Sequence, residues 1–167
     1  RRTPDSCILV IFGASGDLTQ RKLFPALYSL AFRRLLPEKF GVVGVARSEE
    51  TDDEFRARMK EAVQKYARDE FRDDVWDTLA ENMRYVATDF ADEAGEDKLV
   101  ESVNELDAGL QTGGNRVYYL AIPPAVFETV VLALGKRRST DGWTRLIVEK
   151  PFGHDLASAR HLNAAIE

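Results

Sequence analysis

An α/β fold built on a doubly wound parallel sheet is the architecture this sequence predicts, and three observations lead to it. Strand and helix signals alternate from one end of the 167 residues to the other. Several strand segments are uniformly apolar rather than alternating, as expected where helices cover both faces of a parallel sheet. The run Ile8 to Phe12 leads directly into Gly13 and Gly16, and an amphipathic segment follows at once. That order is a buried strand, a tight glycine turn and a helix whose N-terminus faces the turn, the opening unit of a Rossmann-type sheet.

The elements follow in sequence. Strand 1 is Cys7 to Phe12, and the first helix is expected from Leu18 to Arg34, with Phe24, Leu27 and Leu30 as its core stripe and its end near Pro37. Strand 2 is Phe40 to Ala46. Thr51 with Glu54 three residues on is a capping-box signal for a charged helix over Asp52 to Arg68. A shorter helix takes Asp73 to Ala80, strand 3 Met83 to Thr88, and a further helix Glu96 to Leu110. The Gly113-Gly114-Asn115 turn starts strand 4, Arg116 to Ile122. Pro124 is suited to the first turn of the next helix. Strand 5 is Thr144 to Val148, and a last helix is expected from Asp155. Trp76 and Trp143 read as buried packing residues.

Bulk properties exclude several roles. Hydrophobic residues make up 44% and charged residues 31%, the balance of an ordinary globular chain. A net charge of −5 argues against nonspecific nucleic-acid binding. No apolar run approaches the ~20 residues that cross a bilayer, so no membrane role is expected. The single cysteine, Cys7, excludes an internal disulfide and a multi-cysteine metal site. A cytoplasmic setting is the expectation. A chain opening on Arg1 rather than methionine is expected to be a processed product or a piece.

In a doubly wound sheet the ligand lies beyond the carboxyl ends of the strands. Those ends carry Gly13 to Leu18, Ala46 to Ser48, Thr88 to Phe90, Ala121 to Pro124, and Glu149 to Gly153. The glycine turn and helix start suit a dinucleotide pyrophosphate, although Ser15 replaces the second glycine of G-x-G-x-x-G and no third glycine appears. An NAD-binding sheet places an acidic side chain after strand 2, to accept from the ribose 2′-hydroxyl. Here Arg47 and Ser48 stand there. A guanidinium forks onto a 2′-phosphate and a serine hydroxyl adds a bond, which favours NADP. Lys150, between an apolar strand and Pro151, is the second candidate, placed to reach an anionic or polyhydroxy substrate. The carboxylates Asp52-Asp53-Glu54, Asp73-Asp74 and Glu93 to Asp97 read as helix starts and solvated faces, so no metal site is expected.

The strings GASGDLTQRKLFPALYSL, LLPEKFGVVGVARS, RVYYLAIPPAVFE and IVEKPFGHDLASARHLN together resemble the coenzyme domain of the glucose-6-phosphate dehydrogenases, over nearly the whole chain. The resemblance implies that the loop Gly13, Ala14, Ser15, Gly16, Asp17, Leu18, Thr19 and Gln20 cradles the coenzyme phosphates. It implies that Arg47, with Ser48, reads the 2′-phosphate and that Asp89 and Phe90 lie over the coenzyme. Ala121, Ile122 and Pro123 join the same coenzyme site. Lys150 would contact both coenzyme and sugar phosphate, and Lys22 would face the active-site cleft. The implied reaction is oxidation of glucose 6-phosphate to 6-phosphogluconolactone with NADP as hydride acceptor, a step of glucose metabolism in the pentose phosphate pathway. A homo-oligomer is implied for the full-length enzyme.

The departures are informative. Thr19 stands where the family often has alanine, at a close helix–strand contact. Phe127 stands where some members have tyrosine. Nothing like the family's R-I-D-H-Y-L-G-K-E segment occurs, so its catalytic histidines and aspartate, with the second α+β domain, are absent from these 167 residues. Sugar oxidation needs a base within roughly 3 Å of the hydroxyl. His154 and His161 are the two histidines, and nothing marks a carboxylate paired with either, so no catalytic residue is assigned. The piece alone is expected to bind NADP weakly, to turn over no substrate and to expose an apolar patch. A stand-alone NADP-binding regulatory module is the alternative. A short-chain dehydrogenase is disfavoured, because no tyrosine is followed four residues later by lysine. A phosphate-loop NTPase is excluded by the lack of G-K-[ST] after the glycines.

Overall fold

Side chains along a strand alternate between faces, so an all-apolar strand must be covered on both. The computed structural model, which describes residues 5–90, 92–137 and 141–148, shows this arrangement. Strands β1 (Cys7–Phe12), β2 (Phe40–Ala46), β3 (Met83–Ala87), β4 (Arg116–Leu120) and β5 (Thr144–Val148) form one parallel sheet in the order β3-β2-β1-β4-β5. Sequence order reverses at β1, whose neighbours are β2 on one side and β4 on the other. The two strands diverge in connection there and leave a crevice at their carboxyl ends.

From β1, Leu9 and Ile11 face one way and Ile8, Val10 and Phe12 the other. The first face is covered by helices α1 (Phe24–Phe32), α2 (Asp52–Tyr66) and α3 (Asp73–Ala80), through Phe24, Leu27, Tyr28, Phe55, Met59, Trp76 and Leu79. The second is covered by α4 (Glu93–Leu110) and α5 (Phe127–Lys136), through Leu99, Val103, Leu106, Phe127, Val130 and Val131. Each large side chain fully enclosed in this way contributes about 1.5–3 kcal/mol. Cys7 is enclosed at the start of β1, and burial pushes its thiol up to about 11.

Local chemistry sets the boundaries. The Thr51 hydroxyl accepts from the Glu54 amide at 3.0 Å and the Glu54 carboxylate accepts from the Thr51 amide at 2.9 Å, the reciprocal pair that starts α2. Asp92 caps α4 by accepting from Gly95 at 2.9 Å, so the helix begins three residues before the expected Glu96. β4 ends at Leu120 rather than Ile122; Ala121 still donates to the Phe12 carbonyl at 2.8 Å, and Pro123, two residues on, has no amide proton to offer a ladder. Pro124 opens a short 3₁₀ turn ahead of α5.

The first helix differs most from expectation. Residues Thr19–Leu23 form a π-helical turn, in which the Phe24 amide donates to the Thr19 carbonyl, and α1 proper runs only to Phe32. Pro25 explains it. Proline cannot donate to the carbonyl four residues back and its ring collides with it, and a wider turn relieves that collision. Leu30 is 39% exposed and is no core residue. Trp143 is also not enclosed. It is half-buried, its indole N–H donates to Asp5 at 3.2 Å, and the Arg145 guanidinium lies 4.1 Å from its ring centre.

Candidate functional site

The turn after β1 is held by its own backbone. Gly13 and Ala14 both donate to the Val45 carbonyl, at 2.9 and 3.0 Å, and Gly16 donates back to the Gly13 carbonyl at 3.0 Å. Gly13 has a φ of +93°, and a Cβ there would lie 2.0 Å from the Ala121 carbonyl oxygen. Only glycine lets β1 and the end of β4 approach this closely. The Thr19 side chain, fully enclosed, props the turn from beneath by donating to the Gly13 carbonyl at 3.0 Å.

Above this turn lies a cleft of about 390 Å³. Gly13, Ser15 and Gly16 form its floor, Ala46 and Arg47 one side, Thr88, Asp89 and Phe90 the next, and Ala121, Ile122 and Pro123 the other. The carboxyl ends of four strands thus meet at the point where strand order reverses. Phe90 is buried with a left-handed backbone, φ 60°. Its edge-on contact with Phe12, centroids 5.5 Å apart, and the bond from its amide to the Thr88 hydroxyl at 2.9 Å hold that conformation. Arg47 is exposed on the cleft wall and forms no ion pair with the other described residues.

Not every residue of the expected set lines the cleft. Ala14 is enclosed beneath the turn. Asp17 is exposed and paired with Arg21 at 2.8 Å. Gln20 donates to the Ser15 carbonyl at 3.3 Å, steadying the turn, and borders a separate groove with Arg58 and Tyr66. Leu18 is half-buried, and Lys22 is exposed on the π turn. Ser48 is exposed beside Arg47, its carbonyl accepting from Tyr85 at 2.6 Å. Lys150, His154, His161 and the last expected helix lie outside the described residues. No metal-binding group of histidine, cysteine and carboxylates occurs among the described residues. Asp52, Asp53, Asp73 and Asp74 sit in first helical turns, but Glu96 is buried and paired with Arg137 at 3.1 Å, unlike the solvated face expected there.

A family model described as "Glucose-6-phosphate dehydrogenase, NAD binding domain" matches residues 10–167. The chain belongs to the glucose-6-phosphate dehydrogenase family. Glucose-6-phosphate 1-dehydrogenase 2 of Mycobacterium tuberculosis is 46% identical, over 99% of this chain and 33% of its own length. Glucose-6-phosphate 1-dehydrogenase of Chlamydia pneumoniae is 41% identical, over 99% of this chain and 34% of its own. The crystal structure of glucose-6-phosphate 1-dehydrogenase from Mycobacterium avium matches with a TM-score of 0.76 and 37% identity, covering 98% of this chain and 34% of that one. A glucose-6-phosphate dehydrogenase in complex with its substrate glucose-6-phosphate gives a TM-score of 0.79 at 32% identity, covering 99% of this chain and 34% of that one. The chain spans about a third of the length of the curated relatives it matches.

In this glucose-6-phosphate dehydrogenase domain, Val126 and Val130 also line the cleft. Sequence reasoning missed them, although four residues apart after a proline pair they fall on one helical face. Phe127, between them, is buried in the core. No helix among the described residues is long and apolar enough to cross a membrane.

Proposed function

We propose that the cleft binds NADP and that this domain supplies the coenzyme site of an oxidoreductase converting glucose 6-phosphate to 6-phosphogluconolactone. The observation that carries the reading is the exposed Arg47, without an ion-pair partner among the described residues, on the same cleft as the Gly13–Gly16 turn. The fit is chemical as well as spatial. At Gly13 a Cβ would collide with the Ala121 carbonyl, so the glycine keeps the β1–β4 junction closed beneath the turn, and the helix start that follows suits a diphosphate. The amides of Gly13, Ala14 and Gly16 are already donated inward, so Ser15 and the first helical residues would meet the diphosphate. Arg47 and Ser48 would hold the 2′-phosphate by charge-assisted bonds. Phe12, Val45, Ile122, Val126 and Val130 offer an apolar bed that excludes water.

NADP, when bound, accepts a hydride, and the residues of this chain bind and orient it. Lys150 and Lys22 are assigned to the sugar phosphate side on the family resemblance. Homo-oligomeric assembly and a cytoplasmic location belong to the same reading, with no nucleic-acid or membrane partner. Calorimetric titration of the full chain with NADP and NAD tests the coenzyme assignment. NADP is expected to bind more tightly, and Arg47→Glu to abolish that preference while sparing NAD. Equal affinity for the two in the unaltered chain would overturn it.

A further inference from the structure

The loop from Arg47 to Thr51 carries the proposed 2′-phosphate contact, and what fixes it lies outside the cleft. Its first end leaves β2, where the Ala46 carbonyl still accepts from the Thr88 amide at 2.8 Å. Its last end is the capping box of α2. Between them, the Ser48 carbonyl accepts from the Tyr85 hydroxyl at 2.6 Å. The Glu50 carboxylate is forked by Arg58 at 2.9 and 2.8 Å. We infer that Tyr85, which does not line the cleft, sets the coenzyme preference by holding Ser48, and with it Arg47, in the conformation that receives a 2′-phosphate.

Tyr85 is well suited to this work. Its ring is buried, its centroid 5.2 Å from that of Phe55, which in turn meets Phe24 edge-on at 5.8 Å. Its own amide donates to Asp52 at 2.7 Å, so β3 and the start of α2 are joined at the same residue. The hydroxyl therefore projects from a rigid aromatic column onto a loop whose Arg47, Ser48 and Glu49 side chains are exposed. Burial first, and the nearby Glu50 and Glu49 charges after it, raise the phenol above its ordinary value, with Arg58 opposing. It remains a donor throughout the neutral range. A loop held this way loses less freedom when a phosphate binds, and the gain falls on the ligand that has the phosphate.

The inference rests on the reading of Arg47 above, and the test separates the two. NADP and NAD affinities are measured by calorimetry on the full chain for Tyr85→Phe, Arg47→Ala and the double variant. Tyr85→Phe keeps the packed ring and deletes one bond, and should weaken NADP about three- to tenfold while leaving NAD unchanged. In the double variant it should add nothing to the loss from Arg47→Ala. A purely structural role would lower the affinity for both coenzymes together, or for neither, and would overturn the inference, as would additive losses in the double variant. If Arg47→Ala leaves the preference intact, the coenzyme reading itself falls and takes this inference with it. Glu50→Gln, which loosens the other tether without touching the aromatic column, should shift the preference in the same direction by a smaller factor. An unchanged ratio in both Tyr85→Phe and Glu50→Gln would show that the loop needs no tether.

Discussion

The turn after β1 and the loop after β2 meet at one cleft, yet they are built on opposite principles. In the first, the backbone sets the shape and the side chains that help, Thr19 and Gln20, come from the turn that follows it: three amides are donated inward, and Gly13 has no room for a side chain. In the second, the backbone is held by side chains from elsewhere, Tyr85 and Arg58, and the exposed Arg47 lines the cleft. On the proposed reading, shape and dipole would recognise what all dinucleotides share, whereas one exchangeable side chain would distinguish them. A turn of the first kind tolerates almost no substitution. A loop of the second kind tolerates exchange at its exposed positions, Arg47, Ser48 and Glu49, with little cost to folding.

Substitutions ranked by expected effect probe that contrast. Gly13→Ala forces a Cβ to 2.0 Å from the Ala121 oxygen at a positive φ. It should cost about 2–5 kcal/mol in urea unfolding and abolish binding of both coenzymes. Retention of either would show that the β1–β4 junction can open. Arg47→Glu should leave stability within about 0.5 kcal/mol, as for other exposed sites. It should weaken NADP at least tenfold, because a charge-assisted bond is replaced by repulsion. A drop in melting temperature instead would mean that Arg47 is structural. Thr19→Val removes the prop under Gly13 while keeping the shape, and about 1 kcal/mol of stability should go with it. NADP and NAD should then weaken alike, the signature of the first kind of loop. Unequal weakening would blur the distinction.

The smallest effect is expected far from the cleft, at the end of α4. Burial works against the charge of Asp107, but bonds from the Thr112 hydroxyl and the Gly114 amide, with Arg116 nearby, outweigh it and hold the carboxyl below its ordinary value. A depressed folded-state value means that the contribution is fully present above the ordinary carboxylate value of 3.8 and fades as pH falls through the lower folded one. Asp107→Asn should therefore lower stability at neutral pH and flatten its decline in acid. Coenzyme affinity should stay as it was, which denaturation series at several pH values together with titration would check.

Much of this was legible in the sequence, for identifiable reasons. The spans of β1 and β2 coincide with their apolar runs, β5 takes the expected Thr144 to Val148, and the α2 start falls at Thr51 and Glu54, because those signals are local. The placement of Arg47 on the cleft was legible because it directly follows a strand whose end must open on the crevice. Tyr85 was not. Its hydroxyl reaches Ser48 only because β3 lies beside β2 with Gly44 opposite Tyr85, and sequence spacing carries no trace of that register. The π turn was hidden because Pro25 interrupts a helix whose apolar pattern continues through it. Leu30 and Trp143 were misread because pattern and residue type describe a face or a tendency, not the neighbours that finally cover it.

The sulfhydryl at the head of β1 has a practical corollary. The chain has one native cysteine, and that group is enclosed and protonated until about pH 11. Thiol-directed dyes attack the thiolate, so they should pass it by at neutral pH. A cysteine installed at an exposed position outside the assigned contacts, such as Glu49, would then be the site that reacts, and a fluorophore there would report occupancy of the neighbouring crevice without any need to remove the native residue.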